Sequence, residues 1–258
     1  MRWAKAGLNL FTQITRARGL RDETKAALDN LGFILQINGI TLFAVVIASL
    51  LFQEYAVSTA LGISTSISLI FGYFLSRFFK GGELDFTAIC LFITLSYMSF
   101  SLIGTVPYLL MTSKIFDTNS FIDTLVDALF ESTSSYTTTG LTMVSNIDLL
   151  PRSMILLRST IQWFGGVNIV LLSIIFFISP SGSARSLAEL SGIKMIRPSV
   201  RSNFLNVIKV YAMYTVVFIP ILHFAGGVDL FNTINIVFAG LATCLLYTSD
   251  AADEEDSV

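Results

Sequence analysis

The chain has 258 residues, 53% of them hydrophobic and 13% charged, with a formal net charge of −2. A soluble domain carries about 25% charged residues, so a water-soluble globular fold is excluded, and no basic face is concentrated enough for nucleic acid. An acidic cluster at the C-terminal end dominates the net charge; the remainder is mildly basic, which suits a membrane protein with basic loops.

Residues 1–30 carry Arg2, Lys5, Arg16, Arg18, Arg21 and Lys25 against Asp22, Glu23 and Asp29, and are expected to form a cytoplasmic N-terminal segment. The run that follows, 31–52, has no charge and is long enough to cross a hydrocarbon core of about 30 Å as a helix. Its length marks a membrane helix and not the short core of a cleaved leader. A second uncharged run spans 55–76 and is closed by Arg77 and Lys80; together the two runs make a leading pair of membrane helices over 31–79. Gly81 and Gly82 make a turn without the pattern of a phosphate loop. A third uncharged run, 86–113, holds Pro107 and exceeds one perpendicular span, so tilt is expected. Cys90 lies inside that run and reads as a small buried hydrophobe; no cysteine spacing suggests a disulfide or metal site.

Residues 118–136 differ in kind. Asp123, Asp127 and Glu131 alternate with Phe121, Leu125, Ala128 and Leu129, giving a short amphipathic helix too polar to face lipid. Ser120 followed by Asp123 resembles a capping box. A hydroxyl run without charge follows, Ser132-Thr-Ser-Ser-Tyr-Thr-Thr-Thr-Gly140-Leu141-Thr142. Pro151 then opens a further helix, 151–179, at its first helical position. Arg158 and Gln162 share a face one turn apart, and Gly165-Gly166 suggest close helix packing or a flexible point. Residues 181–205 hold Arg185, Lys194, Arg197 and Arg201 and read as a cytoplasmic loop. From Lys209 a fifth apolar run extends to Val228 across Pro220, and a short amphipathic stretch from Asp229 to Thr243 follows. His223, near the end of the fifth run, reads as interfacial, not as a proton carrier.

Basic residues concentrate in 1–30, 77–80 and 181–209, which places those segments and the N-terminus in the cytoplasm. Residues 114–152 must then begin and end on the opposite side, so the short helix and hydroxyl run form a re-entrant hairpin. Irregular backbone at membrane depth occurs only where it lines a cavity or is buried in protein. A half-helix with its negative dipole end followed by carbonyls and threonine hydroxyls suits a dehydrated cation, and Gly140 permits a positive φ that turns carbonyls to one side. No carboxylate lies between Ser132 and Asn146, which disfavours a divalent site. Two readings stay open on these grounds: an ion-conducting hairpin, and an extracellular loop of a membrane protein with another role. Arg158, a charge within a membrane helix, is expected to pair with Glu131 or Asp127 and so support the hairpin, with Gln162 beside it.

Three segments carry a resemblance: 127–142, beginning at Asp127-Ala-Leu-Phe-Glu131; Leu149-Leu-Pro-Arg152; and Arg158 with Gln162-Trp163-Phe164-Gly165-Gly166. They resemble the Trk/Ktr/HKT superfamily of potassium uptake transporters, most of all its bacterial Trk branch. The resemblance implies an all-α polytopic membrane protein of the plasma (bacterial inner) membrane, with no enzymatic activity. Its unit is a helix–pore helix–filter–helix repeat, occurring four times per chain in the family. Here 84–180 would be the first repeat, with outer helix 86–113, pore helix 118–136 and inner helix 151–179. Thr137, Thr138, Thr139, Gly140 and Leu141 would be its filter, with potassium, the substrate, held at Thr138 and Thr139. Asn168 stands where members often have a further glycine. The resemblance further implies a homodimer in the full-length family and a cytoplasmic nucleotide-binding regulatory subunit as partner, besides lipid, and no cofactor.

The second repeat would begin at 206 and reach its filter at Thr243, where Leu245 stands in place of the expected glycine. Residues 244–258 turn acidic and are expected to be foreign to the family, making the chain a truncated fragment. Two other classes remain alternatives: a secondary transporter of another solute using a re-entrant hairpin, and a non-transporting membrane scaffold.

Overall fold

The computed structural model describes residues 2–81, 86–111, 120–144, 147, 150–178 and 200–242. Thr243 and residues 244–258, where the second filter and the foreign tail are expected, lie outside them, as does most of the 181–205 loop. Among the described residues, seven α-helices follow in order: α1 Arg2–Leu51, α2 Tyr55–Phe78, α3 Phe86–Leu110, α4 Phe121–Tyr136, α5 Arg152–Ile178, α6 Val200–Pro220 and α7 Leu230–Leu241. Five of these include stretches long and apolar enough to cross a membrane: Asp22–Leu51, Tyr55–Phe78, Ala88–Leu110, Arg152–Ile174 and Val200–Ala225.

α1 passes residue 30 without a break, so the basic segment and the first span are one helix; its 50 residues contain no proline. It ends where Gln53 takes a φ of 60° and the Glu54 N–H donates 3.0 Å to the Ser49 carbonyl. α1 and α2 then cross at glycines. A Cβ on Gly32 would lie 2.6 Å from the Ser76 backbone nitrogen, and one on Gly72 would lie 2.9 Å from the Gln36 nitrogen. Close backbone approach of this kind drives helix association in lipid, where no hydrophobic force acts between helices. Polar side chains seal the crossing: Gln36 Nε2 donates to the Gly72 carbonyl and Ser76 Oγ, both at 3.2 Å.

α3 joins this pair through Ser64 Oγ, which donates 2.7 Å to the Ile103 carbonyl. Its Cys90 is exposed, against the expectation of burial. In a membrane fold an apolar side chain has no need to turn inward, because lipid solvates it as well as protein does. α5 is the most enclosed span, with 67% of its apolar window buried against 11% for α6. An aromatic chain crosses the bundle from α4 to α1. Tyr136 stacks on Phe100 at 5.3 Å, Phe164 meets Phe100 edge-on at 5.3 Å, and Phe204 links Phe164 to Phe33 at 6.1 and 6.0 Å.

α6 begins at Val200, inside the stretch expected to be loop, because Val200 and Phe204 are buried on its first turns. Arg201 there pairs with Asp29 at 2.8 Å and lies over the Phe33 ring. Past Pro220 the helix widens into a π-turn, Ile221–Ala225, where the His223 ring nitrogen Nδ1 lies 2.7 Å from the Val228 carbonyl. Asp229 caps α7 by accepting from the Phe231 N–H at 3.1 Å.

Candidate functional site

α4 turns its polar face inward. Thr124, Glu131, Ser132, Ser134 and Ser135 are buried, while Phe121, Ile122, Leu125, Val126, Leu129 and Phe130 are exposed. The inward face is satisfied by neighbours: Ser132 Oγ donates 2.8 Å to the Ser101 carbonyl of α3. Ser120 stands at the N-cap, but its side chain makes no capping bond. The expected capping box is therefore not formed; Asp in place of the usual glutamate is one carbon shorter and reaches back less far.

The end of α4 is unusual. The Thr138 N–H donates 3.2 Å to the Ser135 carbonyl and the Thr139 N–H donates 2.9 Å to the Ser134 carbonyl, around a left-handed residue. That residue is normally glycine; here it is Thr138, with φ 54°. The chain then runs irregularly through Thr139 and Gly140, whose φ is 85°. No described residue donates to the carbonyls of Thr137, Thr138, Thr139 or Gly140. Buried carbonyls are nearly always paired, so a row of them left without donors along a partly exposed strand is free to meet something else. The hydroxyls of Thr137 and Thr139 lie 2.7 Å apart beside it.

Two clamps hold the far end of this strand. Ser134 Oγ donates 2.6 Å to the Leu141 carbonyl and accepts from the Leu141 N–H at 3.0 Å. Behind it, Arg158 Nη1 of α5 lies 2.7 Å from Glu131 Oε1, both side chains almost fully buried (5% and 0% exposed). The Thr142 hydroxyl lies 3.1 Å from each Glu131 oxygen, and accepts from Arg158 Nη2 and the Val144 N–H at 3.1 Å. The Met143 N–H completes the cluster, donating 2.9 Å to Glu131. Of the two partners considered for Arg158, Glu131 is the one it meets. Gln162 is buried one turn along, and its side-chain oxygen finds no donor among the described residues.

The near end is held by packing. A Cβ on Gly165 would collide with the Tyr136 carbonyl, and one on Gly104 would collide with Ser132 Oγ. Gly165 therefore serves close packing and not flexibility. Gly166 admits Ala242, the residue that ends α7, whose Cα lies 3.0 Å from its ideal Cβ position. Trp163 packs against Tyr211 and Phe238, donating 3.0 Å to Thr215 Oγ1. Asn168 donates to its own helix, at the Phe164 carbonyl.

Two contributors come from outside the repeat and are not legible in local sequence. Pro151 sits one position earlier than expected, as the N-cap of α5: its carbonyl accepts from Met154 and Ile155. Proline supplies no capping side chain, and Glu54, from the α1–α2 loop, accepts instead from the Arg152 and Ser153 N–H groups at 3.0 and 2.9 Å. The Tyr136 hydroxyl donates 3.0 Å to Asn38 Oδ1 of α1. The signals were a lone carboxylate in a very short loop, and a helix start without its own cap.

The sequence profile of the TrkH family, described as a cation transport protein, matches residues 67–231. The chain belongs to this family. It is 31% identical over 225 residues to an uncharacterized cation transporter of Methanocaldococcus jannaschii, covering 86% of this chain and 45% of the relative. It is 28% identical to the Trk system potassium uptake protein TrkH of Halomonas elongata, covering 86% of this chain and 46% of that protein. To the Escherichia coli protein of the same name it is 30% identical, covering 66% of this chain and 35% of the relative. The crystal structure of the potassium transporter TrkH from Vibrio parahaemolyticus superposes with a TM-score of 0.64 at 22% identity, covering 83% of this chain and 42% of that one. The chain thus spans less than half the length of these relatives, and its fold is the all-helical, multi-pass membrane fold of TrkH.

Proposed function

We propose that the hairpin is one repeat of a potassium uptake pathway, with Thr137, Thr138, Thr139, Gly140 and Leu141 as its selectivity filter. The observation that carries this is the row of carbonyls from Thr137 to Gly140 without donors among the described residues, fixed between the Tyr136–Gly165 contact and the Ser134 clamp. Carbonyl dipoles and threonine hydroxyls held this way replace the water around a large monovalent cation, and the C-terminal dipole of α4 adds partial negative charge. Potassium sits at Thr138 and Thr139. Glu131 and Arg158 hold the strand from behind and do not meet the ion. Curated relatives named as potassium uptake proteins support the choice of cation.

The distribution of basic residues supports a cytoplasmic N-terminus, and likeness to bacterial relatives supports a bacterial inner membrane. The α1–α2 loop and the hairpin then share the outer side, since Glu54 bonds the start of α5. By likeness to the family, the complete pathway takes four repeats, forms a homodimer and works with a cytoplasmic nucleotide-binding regulatory subunit.

Rubidium uptake from the complete gene, in a strain deficient in potassium uptake, tests the assignment. Gly140→Ser forces a side chain onto a φ of 85°, a left-handed conformation costing about 1–2 kcal/mol for an L-residue, and is expected to abolish uptake at normal protein level. Unchanged uptake would remove the filter assignment.

A further inference from the structure

Besides the Ser64 contact to α3, two polar contacts from α1 and the α1–α2 loop reach α4 and α5, before and after the hydroxyl strand in the chain. On one side the Tyr136 hydroxyl donates 3.0 Å to Asn38, Asn38 donates 3.2 Å to Ser68, and Ser68 donates 2.8 Å to the Leu35 carbonyl. Tyr136 is the residue immediately before the strand. On the other side Glu54 caps the start of α5, and α5 carries Arg158, which grips Thr142 immediately after the strand. Glu54 is itself the N-cap residue of α2, yet its side chain makes no capping bond to its own helix. Its carboxylate is instead committed to Arg152 and Ser153, nearly a hundred residues away.

We propose that the α1–α2 pair is a positioning frame for the filter, with Glu54 and Asn38 as its two positioning residues. The inference rests on the potassium reading of the hairpin. A carboxylate on the first N–H groups of a helix makes charge-assisted bonds along the helix axis, so Glu54 fixes how far α5 slides. Arg158 lies about two turns further along the same helix, and an axial slip of α5 moves Thr142 with it. Asn38 fixes the other end by accepting from the hydroxyl of Tyr136, which is fully buried. Carbonyl dipoles discriminate between ions by field and geometry, and a site whose supporting shell is loosened loses that discrimination before it loses its fold. A merely structural α1–α2 pair would change how much protein reaches the membrane and leave each molecule's ion preference alone.

The test uses the complete gene in a potassium-uptake-deficient strain, measuring rubidium and sodium uptake per transporter molecule in the membrane. Glu54→Ala is expected to lower rubidium-over-sodium discrimination about fivefold and raise the half-saturating rubidium concentration, in line with loss of a helix cap. Glu54→Gln keeps an acceptor oxygen and should retain most of the discrimination. Tyr136→Phe, which keeps the ring and loses only the hydroxyl, should shift the same ratio in the same direction about twofold. If Glu54→Ala fails to reach the membrane, Tyr136→Phe carries the comparison. Wild-type discrimination and half-saturation in Glu54→Ala, or in Tyr136→Phe where Glu54→Ala is not inserted, would overturn the frame. Rubidium uptake that Gly140→Ser leaves untouched would instead sink the potassium reading, and this inference with it.

Discussion

Thr138 and Glu131 show opposite ways of spending stability at one site. Thr138 holds a φ of 54° that a β-branched residue adopts only under constraint. Thr138→Gly should relieve roughly 1 kcal/mol of that strain and raise the thermal unfolding midpoint in detergent. It should also lower potassium-over-sodium discrimination, because a hydroxyl and a rigid backbone are lost together. An unfolding midpoint below wild type would show that the threonine is not strained. Glu131 is the reverse case, a buried carboxylate matched by Arg158. Glu131→Gln leaves the guanidinium buried without its countercharge and should cost about 3–5 kcal/mol, read as a large fall in membrane-inserted protein. Reversing both charges should restore part of what either single reversal loses. The Glu131–Arg158 pair was legible in the sequence, because a charge inside an apolar helix demands a partner and few candidates lay near. The Ser134 clamp was not: a hydroxyl among many gives no sign of which backbone it will meet.

Among elements, α4 and α5 approach backbone to backbone where Gly165 meets Tyr136. Gly165→Val should prevent close approach to the Tyr136 carbonyl and destabilise the bundle by several kcal/mol, on the order expected for overpacking against backbone. Gly62→Ala is the matched control, since nothing lies within 4 Å of its ideal Cβ position, and its effect on folded yield should be small. Equal loss in both variants would refute the packing role. The sequence placed a close approach or a hinge at Gly165-Gly166 but could not choose between them, because the partner is a carbonyl from an earlier element. Likewise Gly32 and Gly72 look unremarkable within their own helices; only their juxtaposition makes them a crossing. Periodicity locates spans and says little about which faces meet, and in lipid even the inward direction of apolar residues is lost, as exposed Cys90 illustrates.

At the scale of the whole molecule, the two ends of the bundle are held unequally. The hairpin end has an ion pair with both partners nearly inaccessible, whereas the opposite end has Arg201–Asp29 with Arg201 46% exposed. A partly solvated pair contributes at most about 1 kcal/mol, so Asp29→Ala should leave membrane level and unfolding midpoint close to wild type. A loss comparable to that of Glu131→Gln would mean that the bundle is fastened at both ends. The uneven burial of the spans is the other large-scale feature: α5 is central, and α6 with the π-turn after it offers a broad apolar face including Val216, Ile221 and Phe224.

The inward polar face of α4 also constrains the order in which the chain assembles. At 16 residues and about 1.5 Å per residue, this helix falls short of the roughly 30 Å hydrocarbon core. With serines and a glutamate along one side, it has no reason to leave water for lipid on its own. Among the described residues, Ser132 is paired on α3, Ser134 on the helix's own returning strand and the Tyr136 hydroxyl on α1, while Glu131 meets Arg158 of α5 and Thr142 and Met143 of that strand. The hairpin is therefore expected to wait at the membrane surface and move in sideways once those spans stand together. A cysteine at Leu129 should accordingly stay open to a membrane-impermeant thiol reagent early in synthesis, and become protected only after α5 has emerged. The proposed ion path, on this view, is the last part of the repeat to exist.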